Sequence, residues 1–296
     1  MDLRDTPEEA AFRAEVAAWI VRALPDELRG HRGGGARVDV PALRAWSRAI
    51  FEAGYAGLTW PKEYGGGGRS PVYEAIFLEE SARAEAPPHI GVIGLGMAGP
   101  TIIAHGTEEQ KSRYLARILS ADEIWCQGFS EPGAGSDLAG VRTSAVLAGD
   151  RFVVDGQKVW SSYAHIADFC ILLARSDPSS SRHEGLTFLI VDMHAPGVEV
   201  RPLRQLTGEA EFNEIFLAGV EVPVENVIGE VGGGWSVAMT TLLHERGTLG
   251  VVLSASLEVA VRKLLALAAD RGATPLQRDA IAREWIELQA LRLTNA

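Results

Sequence analysis

Cysteine is scarce in this sequence. Only Cys126 and Cys170 occur among 296 residues, and neither has a neighbouring Cys or His at metal-ligand spacing. That excludes a disulfide-framed fold and offers no metal site, so both are expected to be reduced core residues. An excess of positive charge is also missing. A formal net charge of −11 argues against a general attraction to nucleic acid or an anionic membrane, and makes a small molecule the default partner. No apolar run approaches bilayer length. The opening Met1-Asp-Leu-Arg-Asp5 lacks a basic n-region, and a cytoplasmic chain without a membrane span is expected. Hydrolase signatures are absent too. Ser130 and Ser136 lie among glycines, but Pro132 and Leu138 stand where G-x-S-x-G needs its second glycine. The seven histidines are dispersed, and His244-Glu245-Arg246 is not H-E-x-x-H.

What is present reads as globular: 47% hydrophobic and 23% charged residues, with length enough for two or three domains. Thr6-Pro7-Glu8-Glu9 predicts a helix start, with Thr6 as N-cap, Pro7 at the first position and Glu9 closing a capping box. Phe12, Val16, Ile20 and Leu24 then recur at helical spacing. A second helix is predicted over 41–53 with Leu43, Trp46 and Ile50 on one stripe, and a third over 72–84. The glycine run ending at Gly68 has no strand before it and reads as a loop rather than a phosphate cradle.

Gly94-Leu-Gly-Met-Ala-Gly99 is a literal G-x-G-x-x-G. A dinucleotide fold needs a long helix after the third glycine and then a second strand, whereas Pro100 follows at once and Gly106 stops the apolar segment. A glycine-rich helix packed closely on its neighbours is the better expectation. Thr107-Glu-Glu-Gln110 caps a further helix. From Ile124 to about Val227 the period changes to alternation, predicting strands near 145–147, 151–155, 169–173, 186–191, 198–200 and 214–217, with a hairpin turn at Asp155-Gly156. That spacing suits a barrel or sandwich. Helices return after Gly232-Gly-Gly234, over 235–269 and 275–295. Two such helices cannot bury both apolar faces, and the expectation is a chain cut off within a helical bundle.

Two motifs in the β segment belong together: Gln127-Gly-Phe-Ser-Glu-Pro-Gly-Ala-Gly-Ser-Asp137 and Gly156-Gln-Lys-Val-Trp-Ser-Ser162. A polar, glycine-punctuated loop opposite an indole followed by two hydroxyls can hold a flat polar ring. With these motifs, and with Trp60-Pro-Lys-Glu-Tyr-Gly-Gly66, His105-Gly-Thr-Glu-Glu-Gln-Lys111 and Gly232-Gly-Gly-Trp-Ser-Val-Ala-Met239, the chain resembles the flavin-dependent acyl-CoA dehydrogenase family over nearly its whole length. The resemblance implies an α+β protein: an N-terminal helical domain (1–122), a central β domain (123–231) and an incomplete C-terminal helical domain (232–296).

It also implies FAD as cofactor. Gln127, Gly128, Phe129 and Ser130 match the strand end that meets the flavin ring, and Trp160, Ser161 and Ser162 match the segment on its other side. The family's usual triplet there is Trp-Ile-Thr, and Ser162 keeps a hydroxyl able to donate. Ser136 matches an acyl-CoA contact. Arg271 lies where the family has an arginine reaching the FAD pyrophosphate of a neighbouring subunit, although the family's Arg-x-x-Phe-Gly context is replaced by Arg271-Gly-Ala-Thr-Pro275.

The implied reaction is α,β-dehydrogenation of an acyl-CoA to the 2-enoyl-CoA, in fatty-acid or steroid side-chain β-oxidation. A carboxylate removes the α-proton and the β-hydride goes to flavin N5. In some members that base sits in a Glu-Arg pair on the first helix of the last domain, which points to Glu245 as base and Arg246 as a substrate contact. Electron-transfer flavoprotein is the implied acceptor, and a homo- or hetero-tetramer the implied assembly. The competing expectations are a truncated or non-catalytic subunit with a partner-binding role, and an oxidase or monooxygenase on the same scaffold.

Overall fold

The computed structural model describes residues 4–30 and 39–295, with 245–249 and 295 described by backbone alone. Its α-helices are α1 (Pro7–Ala23), α2 (Val40–Glu52), α3 (Pro71–Arg83), α4 (Gly99–His105), α5 (Glu108–Leu119), α6 (Gly234–Arg271) and α7 (Pro275–Asn295). Its strands are β1 (Trp125–Gly128), β2 (Ser144–Ala148), β3 (Arg151–Ser162), β4 (Phe169–Arg175), β5 (Leu186–Asp192), β6 (Val198–Pro202) and β7 (Phe212–Pro223). The chain is therefore helical, then β, then helical, and forms two compact units.

The helical unit holds α1, α3, α7 and α6 from Arg246 onward. α1 starts as its sequence dictates: the Thr6 hydroxyl accepts from Glu9 N, and the Glu9 carboxylate accepts from Thr6 N at 2.7 Å. Both interactions satisfy N–H groups that a helix start leaves orphaned. α1 packs on α3 through Phe12 and Tyr73, edge to face at 5.0 Å, while Arg13 bonds Asp5, Glu79 and Glu80. Glu258 of α6 is buried and meets Arg262, Arg83 and Arg292. Burial alone would raise its carboxyl, but those guanidinium groups outweigh burial and hold it below the usual range. Beyond this point burial thins out. Leu288 is α7's one buried side chain among its described residues, with Leu276 80% and Ile286 65% exposed. A groove of about 600 Å³ runs between the two helices, lined by Leu257, Val261, Leu264, Arg271 and Ile281 among others.

The second unit holds α2, α4, α5, the sheet and α6 up to Glu245. α2 buries Leu43, Trp46 and Ile50 as its stripe predicts. The glycine motif forms a π-helix over Gly94–Ala98 that runs directly into α4, so the dinucleotide reading is excluded by the fold. Two of its glycines are demanded by close approach: a Cβ on Gly99 would lie 2.1 Å from the Trp60 ring, and one on Gly94 would lie 2.9 Å from Ile118.

The barrel or sandwich expected for the central segment is realised as one seven-stranded sheet, ordered β1-β4-β2-β3-β7-β6 with β5 also paired to β4. The hairpin expected at Asp155-Gly156 is corrected. β3 runs unbroken through that point, with a register shift between Val154 and Gly156 against β7. The true β2–β3 turn is Gly149-Asp150, where Ala148 faces Arg151 and Gly149 takes φ +69°. Gly156 is required for another reason: a Cβ there would meet Thr143 at 2.5 Å.

Candidate functional site

β1 runs parallel to β4 with Cys126 opposite Cys170 and Gly128 opposite Leu172. Its side chains are buried except for the half-buried Gln127. A Cβ on Gly128 would lie 2.9 Å from both Cys170 Sγ and Leu172 Cδ1, so only glycine lets the strand end lie this close. Phe129 then turns inward, edge-on to Phe188 at 5.6 Å, and Ser130 is half-buried. The Ser130 carbonyl accepts a hydrogen bond from Val159 N at 2.9 Å. That bond joins the backbones of the two separated motifs.

On the other side of the joint the register against β7 shifts between Lys158 and Ser161, a bulge of the kind that re-aims a side chain. Trp160 takes φ +62° and is 61% exposed, with an edge contact to Phe212 at 6.0 Å. Ser161 is buried and its hydroxyl has no partner; its carbonyl accepts from Asn213 Nδ2 at 2.9 Å. Ser162 is half-buried. A left-handed non-glycine residue costs about 1–3 kcal/mol, and a buried unpaired hydroxyl costs about 1–3 kcal/mol. Both penalties fall on adjacent residues beside an exposed aromatic face, which is where a flat heteroaromatic ligand with hydrogen-bonding edges fits.

Beneath the joint lies a charge pair. Lys158 is fully buried, and its Nζ donates to Phe129 O at 3.0 Å, to Glu131 Oε1 at 2.8 Å and to Leu173 O at 2.8 Å. Three acceptors require three N–H donors, which only the ammonium form supplies. Glu131 also accepts from Arg142 N at 2.7 Å and Thr143 N at 2.8 Å. Burial would push the Glu131 carboxyl up, but Lys158 and these donors outweigh it and the net direction is down. Burial lowers the Lys158 ammonium, while Glu131 opposes that fall.

Of the other expected residues, Ser136 is exposed on the loop after β1. Arg271 belongs to the helical unit, exposed at the end of α6 before Gly272. Glu245 and Arg246 lie on α6, and their side chains are outside the described residues. No group of three or more His, Cys, Asp or Glu among the described residues could hold a metal ion, and no helix among them is long and apolar enough to cross a membrane.

Profiles of the acyl-CoA dehydrogenase N-terminal, middle and C-terminal domains match residues 6–122, 126–220 and 232–296. The chain belongs to the acyl-CoA dehydrogenase family. Among its relatives, acyl-CoA dehydrogenase IpdE1 of Mycobacterium tuberculosis is 44% identical over 287 residues, covering 95% of this chain and 74% of the relative. Among solved structures, the Tcur3481-Tcur3483 steroid ACAD matches with a TM-score of 0.90 at 38% identity, covering 100% of this chain and 76% of that one. The ChsE4-ChsE5 complex from Mycobacterium tuberculosis matches with a TM-score of 0.89 at 34% identity, covering 100% and 77%. The protein is thus an oxidoreductase of a family whose members use FAD.

For this acyl-CoA dehydrogenase, sequence reasoning named both motifs but gave no role to Lys158, Glu131 or Asn213. A signal for Lys158 existed: it stands in a strand at an inward position, where Phe152 and Val154 precede it. The half-buried Gly156 interrupts the series of inward side chains between Val154 and Lys158.

Proposed function

We propose that this chain is an FAD-dependent acyl-CoA dehydrogenase that converts an acyl-CoA thioester to its 2-enoyl-CoA, with a steroid-derived acyl group as the substrate class. Family membership supports the reaction, and the likeness to a structure described as a steroid ACAD supports the acyl group. The observation that carries the cofactor reading is the joint between Ser130 and Val159, which brings the two flavin motifs side by side.

FAD would supply the acceptor for the β-hydride. Gln127 to Ser130 and Trp160 to Ser162 would hold its ring, the exposed indole offering an aromatic face and Ser130 and Ser162 offering hydroxyl donors. The orphaned Ser161 hydroxyl adds a donor behind them. Ser136, on its exposed loop, would contact the acyl-CoA, and Arg271 would offer a guanidinium to the FAD pyrophosphate of a neighbouring subunit. Glu245 would take the α-proton and Arg246 contact the thioester, roles that rest on the Glu-Arg pair following Gly-Gly-Trp. Electron-transfer flavoprotein would reoxidise the enzyme, in the cytoplasm.

A second chain as partner is the reading favoured by the apolar residues left exposed on α6 and α7, such as Leu264, Leu276 and Ile286. The matched ChsE4-ChsE5 structure is itself a complex of two chains. A non-catalytic role within such an assembly is the alternative to the enzymatic one. The test is the flavin absorbance of the purified protein before and after adding acyl-CoAs. Bleaching by steroid-derived acyl-CoA, reduced about 10²–10⁴-fold in rate by Glu245→Gln, supports the proposal. A yellow protein that no acyl-CoA bleaches selects the non-catalytic role.

A further inference from the structure

We propose that the buried Lys158–Glu131 pair is a positioning device for the flavin ring, setting Ser130 and Trp160 relative to each other from beneath the site. This rests on the FAD reading above. The pair's place in the chain is the first reason: Glu131 directly follows Ser130, and Lys158 stands two residues before Trp160. Its geometry is the second. Lys158 Nζ reaches Phe129 O, Glu131 Oε1 and Leu173 O within 3.0 Å, and Glu131 is held in turn by the amides of Arg142 and Thr143. Four directed contacts therefore converge on residues 129–131, two from Lys158 of β3 and two from the segment entering β2, while the third Lys158 bond ties the same ammonium to Leu173 of β4. Gly128 brings the same strand end to within 3.5 Å of Lys158 Cγ, measured from a Cβ built on it. One ammonium thus fixes both halves of the motif pair.

Stability does not account for the arrangement. A buried ion pair is about neutral against a well-packed apolar pair of the same volume, whereas removing one partner is strongly destabilising. What an apolar pair cannot do is orient a backbone carbonyl. The Phe129 carbonyl is aimed at Lys158, and the next peptide carries the bond from Ser130 O to Val159 N. Loss of the ammonium frees the Phe129–Ser130 peptides to rotate, and with them the face that meets the ring.

The experiment compares the full chain with Lys158→Met, Glu131→Gln and the double variant Lys158→Met/Glu131→Leu. FAD affinity is read by fluorescence quenching, the flavin environment by visible circular dichroism, and stability by thermal melting without FAD. Lys158→Met is expected to weaken FAD binding about ten- to a hundredfold, the loss of charge-assisted hydrogen bonds, and to alter the visible spectrum. The double variant is expected to melt near the wild type while FAD affinity stays low. If it recovers affinity together with stability, the pair is only structural and the proposal is overturned. Should Lys158→Met not fold, the double variant decides; should neither fold, Glu131→Gln decides, with unchanged affinity and spectrum overturning the proposal. A wild type that binds no FAD overturns the functional reading and this inference together, whereas a wild type that binds alongside unaltered variants overturns this inference alone.

Discussion

The sheet unit and the helical unit solve the burial problem to different degrees. β4 has five consecutive buried residues and β5 six, so both faces of each strand are covered and even a lysine can be enclosed with all its donors satisfied. α7 buries one side chain among its described residues. The groove beside it is lined largely by leucines, alanines, Val261 and Ile281. The difference teaches where free energy is concentrated. A substitution under the sheet changes a closed network, while one on α7 changes a surface.

That contrast can be broken by measurement. The largest effect is expected for Glu131→Ala, which leaves the Lys158 ammonium buried without its counter-charge; a loss of about 3–5 kcal/mol should appear in denaturant unfolding. Acid should come next. His89 is 7% exposed, its Nδ1 accepts from Gly91 N, and its Nε2 faces Leu119 O. Burial depresses its pKa from 6.5 to about 4. The unfolded chain therefore takes up the proton first as pH falls. Stability is full above about 6.5 and drops by about 3 kcal/mol on the way to 4; His89→Gln should flatten that part of the profile. Gly99→Ala drives a methyl into the Trp60 ring and should cost about 1–3 kcal/mol, seen as a lowered Tm. In the helical unit the effects shrink. Thr6→Ala removes the α1 cap for about 1 kcal/mol. Leu276→Lys, at 80% exposure, should lie within about 0.5 kcal/mol of the wild type. A Leu276 cost equal to that of Glu131 would erase the contrast between the units.

Much of this was legible in the residues. The capping boxes at Thr6 and Thr107 formed as their spacing requires, because a cap depends on residues three apart and little else. The stripe of α2 is buried as its period demands. The G-x-G-x-x-G motif was rightly denied a dinucleotide fold by Pro100. Its π-helix was not foreseeable, since that depends on how closely Trp60 and Ile118 approach Gly99 and Gly94. Asp155-Gly156 misled because the dipeptide that favours a tight turn here sits inside a strand opposite the extra residue of β7 at Ala218-Gly219, and Thr143, distant in sequence, leaves no room for a Cβ at Gly156. Trp160 to Ser162 could be picked out by composition, yet the left-handed turn at Trp160 and the stranded hydroxyl of Ser161 arise from register against β7. Register is a property of two strands and cannot be read from one.

Cys126 and Cys170 sit opposite each other on β1 and β4, both buried. Burial, and then the neighbouring Cys170, raises the Cys126 thiol well above its ordinary value, and both sulfurs are shut away from solvent in the folded chain. The protein thereby carries its own stopwatch. A thiol-specific reagent can mark these positions only when β1 parts from β4, and the speed of marking records how often that seam opens. Because the two sulfurs share one seam, they should be released in the same event. A single labelled product would reveal an opening confined to one strand end.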